Sequence, residues 1–185
     1  FASRRRLAEI IATHRLVPTP AADCTVIEVG SVNTDTCRRE LARLAPAVVL
    51  VIGTRIIGRD TLAAVPARFI NYHAGINPKY PGMCGSYWAL TNGEPENFGV
   101  TVHFVDKGVD TGDILHWETI APDARDNFAT YPFLLAVAGR SAVLKSLGDA
   151  LSGEVKPIRR EMDSRQWYHP TLWRYLWTGI TRKVW

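Results

Sequence analysis

Residues 71–82 read NYHAGINPKYPG, and residues 99–113 read GVTVHFVDKGVDTGD. The first stretch follows an apolar run, and positions two apart in a strand share one face. Asn71 and His73 are therefore predicted to point into the same small volume where a strand ends. The second stretch alternates apolar residues and then enters a loop that carries Asp106 and Asp110. An amide, an imidazole and a carboxylate are thus expected to converge from strand ends.

The composition is that of an ordinary globular protein. Of the 185 residues, 46% are hydrophobic and 22% are charged, which suits one domain with its own core. The net charge of +4 comes from scattered basic residues. Such a charge permits an anionic substrate without requiring nucleic acid.

Three cysteines, Cys24, Cys37 and Cys84, include no CxxC pair, so neither a disulfide framework nor a zinc site is expected. No apolar run approaches the roughly 20 residues that span a bilayer, and the N-terminus has no signal-peptide pattern. We therefore predict a cytoplasmic protein without a transmembrane segment. The first residue is not Met, which indicates a chain that lacks its true start.

Strand-like and helix-like segments alternate along the chain. Predicted strands cover Thr25–Val29, Ala47–Ile52, a segment ending at Asn71, Gly99–Val105 and Asp113–Ile120, the last antiparallel to its neighbour. Predicted helices cover residues 3–14, a segment from a cap at Asn33 or Thr34 to Leu44, and residues 60–64, 86–91 and 124–151. The alternation predicts an α/β fold with a mostly parallel sheet covered by helices on both faces.

The last part of the chain has a different character, so we divide the sequence into a domain of residues 1–153 and a tail of residues 154–185. The tail mixes Trp and Tyr with Arg and Lys. Such mixtures suit base stacking, membrane interfaces or partner surfaces. The interpretation that we favour is packing of the tail on the surface of its own domain.

The residue types at the strand ends are those of proton transfer and oxyanion stabilisation. An Asn amide can donate to a developing oxyanion, a His can move a proton, and an Asp can orient the His. Cys84 and Ser86 lie nearby in the sequence, but neither is in a Gly-x-Ser-x-Gly elbow. Direct transfer of a carbonyl-level group to an amine therefore fits better than a covalent intermediate. In the structural alternative, Asn71 caps a loop and His73 is a strand-end histidine with satisfied hydrogen bonds.

A metal site is not predicted. The candidate ligands match neither a standard metal motif nor a calcium loop. They are His103, Asp106, Asp110 and Asp113.

Four separated motifs carry a family resemblance: NYH at 71–73, PKYPG at 78–82, ALTNG at 89–93 and GVTVHFVDKGVDTGDI at 99–114. They resemble the 10-formyltetrahydrofolate-dependent formyltransferases, which include the glycinamide ribonucleotide, methionyl-tRNA and amino-sugar N-formyltransferases. That family shares an Asn-x-His pair and a later Asp in an Asp-x-Gly-x-Asp loop. The resemblance implies a Rossmann-like formyltransferase fold, with Asn71, His73 and Asp110 as the catalytic residues.

The resemblance also implies 10-formyltetrahydrofolate as the formyl donor, bound against the backbone of two loops. Here these loops comprise Thr54, Arg55, Ile56, Ile57, Val105, Asp106, Lys107, Gly108 and Val109. The implied reaction is attack of a substrate amine on the formyl carbon. Asn71 and a protonated His73 would stabilise the oxyanion, while Asp110 holds His73 and helps to take up the amine proton.

The sequence departs from the family in ways that bear on the acceptor. Residues 73–78 read HAGINP, where the commonest family loop reads His-Pro-Ser-Leu-Leu-Pro, so Ala74-Gly75 is expected to reshape the acceptor pocket. The Gly/Ser-rich first strand of the family is absent, which predicts an N-terminally truncated domain. The chain is also too short for the oligonucleotide-binding domain of the methionyl-tRNA enzymes.

These departures favour a small-molecule primary amine as the acceptor, such as an amino sugar, without a nucleic-acid partner. We also consider a homodimer, and the aromatic tail could complete the acceptor pocket, a dimer surface or a membrane contact. Two alternatives to formyl transfer stay open: a 10-formyltetrahydrofolate hydrolase that uses the same residues with water as the acceptor, and a non-catalytic folate-binding protein.

Overall fold

The computed structural model describes residues 2–185. Its helices are α1 (Ala2–His14), α2 (Asp35–Leu44), α3 (Arg59–Leu62), α4 (Gly85–Thr91), α5 (Tyr131–Ser152) and α6 (Leu172–Arg182). Its strands are β1 (Val48–Ile52), β2 (Arg68–His73), β3 (Gly99–Phe104) and β4 (Ile114–Thr119). A short 3₁₀ helix, Pro95–Asn97, precedes β3. The predicted α/β class is confirmed.

The four strands form one mixed sheet in the order β1-β2-β3-β4. β1 and β2 are parallel, whereas β3 is antiparallel to both β2 and β4. The prediction of a mostly parallel sheet is therefore corrected: one strand pair is parallel and two are antiparallel. The reason lies in the connection between β2 and β3. The segment of residues 74–98 is long enough for a parallel crossover, but Ser86 Oγ donates to the carbonyl oxygens of both Ala74 and Gly99, so the middle of the segment is held where β2 ends. The chain stays at the edge where β2 ends, and β3 runs back antiparallel.

Helices cover both faces of this sheet, as predicted. Ile70 of β2 is fully buried and packs in a cluster with Ala142 of α5. Phe69, its neighbour in the strand, points to the opposite face and packs near Leu41 of α2 and Leu62 of α3. The alternation of side chains along β2 therefore separates a face covered by α5 from a face that α2 and α3 cover in part.

The predicted strand at Thr25–Val29 is wrong. These residues have no regular structure, and the Val26 and Ile27 side chains are exposed. No strand of the described sheet pairs with them. β-branched residues favour a strand only where a neighbouring strand can bond their backbone, so composition alone misled the prediction.

The long helix predicted over residues 124–151 begins later, at Tyr131. Two local side-chain bonds build turns before it: Asp123 N donates to Asp126 Oδ2 at 2.7 Å, and Asn127 N donates to Thr130 Oγ1 at 2.9 Å. Such bonds compete with helical hydrogen bonds and delay the helix.

The tail docks on the domain, as the favoured interpretation predicted. Ile158 forms an antiparallel bridge with Ile114 of β4, and Trp167 forms a parallel bridge with Gly82. α6 then begins after Thr171, whose Oγ1 accepts from the backbone N–H of Arg174. Among residues 2–185, no helix is long and apolar enough to cross a membrane.

Candidate active site

Asn71 and His73 lie at the end of β2, on the face to which Phe69 also points, because side chains two apart share a face. Asp110 lies in the loop between β3 and β4 and adopts a left-handed backbone conformation, with φ of 55°. Asn77 Nδ2 donates to the Asp110 carbonyl oxygen at 2.9 Å and holds that backbone in place. The structure thus brings the three predicted residues together.

The Asp110 carboxylate is the centre of the cluster. Asn71 Nδ2 donates to its Oδ1 at 3.1 Å, and the backbone N–H of Gly82 donates to its Oδ2 at 2.8 Å. His73 Nδ1 lies 3.2 Å from the same Oδ2. Burial acts to raise the pKa of Asp110, but the bond with His103, the neighbouring His73 and the Gly82 amide together hold this pKa below its usual value. The carboxyl group is therefore ionised at neutral pH.

The His73 imidazole is only 6% exposed. Its Nε2 donates to the Tyr80 carbonyl oxygen at 2.7 Å, so Nε2 carries a proton and Nδ1 faces Asp110. Burial lowers the pKa of His73, while the Asp110 carboxylate and the Tyr80 carbonyl act in the opposite direction. The His73 imidazole is therefore neutral before any reaction, whereas the resemblance implied a protonated His73, and the His73–Asp110 pair can take up one additional proton.

Gly75 makes the bond between His73 and Tyr80 possible. A Cβ atom at this position would lie 2.6 Å from His73 Nε2 and 2.7 Å from the Tyr80 carbonyl oxygen. A side chain there would separate the two groups or displace the loop. The Ala74-Gly75 departure noted in the sequence therefore acts on the orientation of His73.

His103 is a member of the cluster that the sequence reasoning missed. It pairs with Asn71 across β2 and β3. Its Nδ1 donates to the Phe104 carbonyl oxygen at 2.7 Å, and its Nε2 lies 3.2 Å from Asn71 Nδ2 and 3.3 Å from Asp110 Oδ1. The signal was present in the sequence, because His103 falls on the face of β3 opposite to the apolar Val102.

A cavity of about 870 Å³ adjoins this cluster. Asn71, His73 and Asp110 line it, together with every residue of the two predicted donor loops except Lys107. Lys107 is exposed and does not line the cavity. The size is in the range of pockets that hold a cofactor or a drug-sized molecule.

The first donor loop, residues 54–57, lines the cavity. Its one hydrogen bond to the rest of the described chain joins the Ile56 carbonyl oxygen to Asn33 Nδ2 at 2.9 Å. Asn33 Oδ1 accepts from the Gly58 N–H at 2.7 Å, so one side chain holds the end of the loop at two points. Asn33 was predicted as a possible helix cap, but Thr34 caps α2.

The tail forms another wall of the cavity, through residues 166–169. The Trp167 N–H donates to the Pro81 carbonyl oxygen at 2.9 Å, and the Met83 N–H donates to the Trp167 carbonyl oxygen at 2.9 Å. The Trp167 ring stacks on Trp88, with ring centroids 5.0 Å apart. From the sequence, the tail was one candidate to complete the acceptor pocket, but none of its residues was assigned to the site.

Cys84 also lines the cavity, and its Sγ lies 3.3 Å from His169 Nδ1. Burial raises the pKa of the Cys84 thiol, so this thiol is not an activated nucleophile. In the part of the chain that the structure describes, no group of three or more His, Cys, Asp or Glu side chains is arranged to hold a metal ion.

The family model for formyl transferase matches residues 11–142, well over half of the chain. This chain belongs to the formyl transferase family. The match includes the whole of the cluster around Asp110 and both donor loops, whereas α6 lies outside it.

One curated relative in the formyl transferase family is a methionyl-tRNA formyltransferase. The methionyl-tRNA formyltransferase of Anaeromyxobacter sp. (strain K) is 33% identical over 168 residues, which cover 86% of this chain and 52% of that protein. The chain thus spans about half the length of this curated relative.

Two solved structures share the fold. A sugar N-formyltransferase from Shewanella sp FDAARGOS_354 has a TM-score of 0.59 and 17% identity, over 89% of this chain and 72% of that one. The formyltransferase PseJ from Anoxybacillus kamchatkensis, solved with UDP-4,6-dideoxy-4-formamido-L-AltNAc and tetrahydrofolate, has a TM-score of 0.56 and 20% identity. The match covers 88% of this chain and 80% of PseJ.

Proposed function

We propose that this chain transfers a formyl group from 10-formyltetrahydrofolate to a primary amine of a small-molecule acceptor. The observation that carries the proposal is the position of the Asn71, His73 and Asp110 cluster at the wall of a cavity lined by both donor loops. Membership of the formyl transferase family supports the reaction class, and PseJ, which has the same fold, was solved with tetrahydrofolate.

The donor loops fit a folate by their chemistry. A pterin ring has flat faces and an edge of hydrogen-bond donors and acceptors. Val51, Ile57 and Val109 supply apolar wall. Apart from the Ile56 carbonyl, the backbone groups of residues 54–57 have no hydrogen-bond partner within residues 2–185. Such a combination of apolar lining and a few placed polar groups is typical of cofactor pockets.

Asp110 is proposed as the acceptor of the amine proton. The nitrogen lone pair of the acceptor amine forms a bond with the formyl carbon, and the bond from that carbon to the folate nitrogen breaks. The amine loses a proton and the folate nitrogen gains one. The ionised carboxylate of Asp110 can take this proton, and His73 Nδ1, 3.2 Å away, can share it before it reaches the leaving nitrogen.

Asn71 is proposed to act on the formyl group. Its Nδ2 is held 3.1 Å from Asp110 Oδ1, so the amide is already oriented before a ligand enters. An Asn donor oriented in this way can bond the oxygen that gains negative charge as the amine attacks. When Asp110 takes the proton, its oxygen becomes a weaker acceptor, and Nδ2 is then freer to donate to the substrate oxygen.

The acceptor is proposed to enter beside the tail wall. Gln166, Tyr168 and His169 line that part of the cavity, and they offer an amide, a phenol and an imidazole for recognition of a polar molecule. An amino sugar, free or linked to a nucleotide, has hydroxyl groups that match these side chains. Sugar N-formyltransferases share the fold, while the curated relative named above is a methionyl-tRNA formyltransferase, so both acceptor classes belong in the assay.

The test is an assay of 10-formyltetrahydrofolate with and without candidate amines, in which release of tetrahydrofolate is followed. Release only in the presence of an amine is the expected result. Release without an amine would show a hydrolase instead, and binding without turnover would show a non-catalytic folate-binding protein. The amines should include nucleotide-linked amino sugars and methionyl-tRNA.

Variants then test the cluster. N71A, H73A and D110A should each lower the rate at least about a thousandfold, in line with the loss of a proton-transfer or oxyanion group. The matched control is D149N, because Asp149 forms an Asp–His pair with His116 at 2.7 Å outside the cavity. D149N should retain full activity. Near-full activity of D110A would refute the proposed role of the cluster.

A further inference from the structure

The helix α6 is held on the domain by one of its faces. Thr178 and Gly179 are buried, and Thr178 Oγ1 lies 2.6 Å from the Tyr87 hydroxyl oxygen. Tyr175 packs against Phe128, with ring centroids 5.9 Å apart. These contacts determine which side of the helix points away from the protein.

The outward side of α6 is apolar. Successive helical residues are about 100° apart, so one continuous arc of about 140° contains Leu172, Trp173, Leu176, Trp177 and Ile180. Trp173 is 77% exposed, and Leu172 and Ile180 are also exposed. A surface helix normally turns its apolar stripe toward the core, whereas α6 turns one toward the solvent. A contiguous exposed apolar patch of this kind marks an interaction surface.

The charged side chains of the tail segment that carries this patch have one sign. Residues 164–185 contain Arg165, Arg174, Arg182 and Lys183 but no Asp or Glu. The Arg174 guanidinium lies over the Trp177 ring, 4.8 Å from its centroid. A second copy of the chain would bring the same positive charges against these, which disfavours self-association through α6. The complementary partner is anionic.

We propose that α6 docks on an anionic lipid surface. The aliphatic and indole side chains of the arc enter the boundary between head groups and acyl chains, while Arg174 and Lys183 remain at the level of the lipid phosphates. Trp next to Arg or Lys is typical of helices that lie in this interface. The aliphatic Leu172 and Ile180 favour lipid over nucleic acid, where aromatic stacking would dominate.

The experiment is co-sedimentation of the whole chain with vesicles of two compositions. One is pure phosphatidylcholine and the other is phosphatidylcholine with phosphatidylglycerol. We expect binding to the second at least tenfold tighter than to the first, together with a blue shift of tryptophan fluorescence. The variant R174Q/K183Q should lose most of this preference.

A matched pair of variants assigns the binding to α6. L172S/W173S/I180S removes three exposed apolar side chains from the arc and should weaken vesicle binding at least tenfold. V17S/L144S/L151S removes three equally exposed apolar side chains from elsewhere and should bind as the parent does. Circular dichroism checks that both variants fold.

Three results would overturn the proposal. The first is the absence of binding to either vesicle, and the second is equal binding to both. The third is a dimer in light scattering that L172S/W173S/I180S converts to a monomer, since the patch would then be covered by a second copy.

Discussion

The strand ends around Asp110 and the outward face of α6 both depart from the usual arrangement, in which polar groups face water and apolar groups face the core. At the strand ends, an imidazole is buried, a carboxylate side chain is only 12% exposed, and protein atoms bond both. On α6, large apolar side chains face the solvent. The buried polar groups find their partners within the described residues, whereas no described residue covers the outward apolar side chains of α6. A polar cluster can therefore be a self-contained site, whereas an exposed apolar face implies a partner.

The comparison between packed and exposed groups is tested most strongly by Trp167 and Trp173. Both are tryptophans of the tail, but Trp167 packs on the domain and Trp173 faces the solvent. The Trp167 ring stacks on Trp88 and Tyr80, with its Nε1 donating to the Lys79 carbonyl oxygen at 3.2 Å. W167A should lower the free energy of unfolding by about 3 kcal/mol in urea denaturation, the low end for loss of a packed Trp. W173A should change it by less than about 0.5 kcal/mol. Equal losses would mean that the docked and outward parts of the tail do not differ.

Gly75 tests the internal packing of the polar cluster. G75A places a Cβ atom 2.6 Å from His73 Nε2, so we expect a loss of about 2 kcal/mol of unfolding free energy from overpacking. Gly148 is the matched control, because no atom lies within 4 Å of a Cβ atom there and it belongs to α5. G148A should stabilise the protein by up to about 1 kcal/mol. Effects of the same sign at both positions would contradict this account.

His73 gives the polar cluster a pH signature. Its pKa is lowered by burial in the folded state, so below about pH 6.5 the unfolded chain takes up a proton that the folded chain does not. The stability contributed by the neutral imidazole is complete above that pH and is lost as the pH falls. Between pH 7.5 and 5.5 we expect the unfolding free energy to fall by up to about 1.4 kcal/mol from this group.

The measurement for His73 is urea denaturation of the parent and of H73Q at both pH values. H73Q should show a correspondingly smaller decrease, since Gln does not titrate. The same decrease in both proteins would show that other groups determine the pH dependence.

Asn33 is expected to have the smallest effect, because it acts on the loop and not on the reacting atoms. N33A removes the bonds to the Ile56 carbonyl oxygen and the Gly58 N–H. The KM for 10-formyltetrahydrofolate should rise about threefold, with kcat nearly unchanged, since a less ordered loop weakens binding by less than one typical hydrogen bond. N127A, which alters an Asn outside the cavity, should leave both constants unchanged. A fall in kcat alone in N33A would place Asn33 in the chemistry instead.

Much of the fold could be predicted because the relevant signals are local. The apolar run before Asn71 and the alternation from Val100 to Phe104 correspond to β2 and β3, and Gly153 ends α5 where expected. Thr25–Val29 looked as strand-like as these, but no neighbouring strand bonds it. A strand depends on its partner, and a single sequence does not show which partner is present.

The candidate site also contains some residues that the sequence predicted and others that only the structure revealed. The spacing of Asn71 and His73 placed both on one face, and the family motif pointed to Asp110. His103 and the Gly82 amide were not assigned, although both lie within residues 71–82 and 99–113, and no individual residue of the tail was assigned to the site. The contribution of these groups to the site depends on the strand register and on how the tail packs on the domain. A local sequence pattern predicts neither.

The sequence by itself determined the α/β class, the pair of polar residues at a strand end and the resemblance to formyltransferases, because periodicity and motifs act over a few residues. Only the tertiary structure decided that β3 runs antiparallel to β2, that His73 turns its Nε2 to Tyr80, and that Trp167 packs inward while Trp173 faces the solvent. These outcomes depend on contacts between segments far apart in the chain. Residues 71–73 and 99–113 thus identified the site, while the packing around them determined its walls, its protonation and the exposed face of the tail.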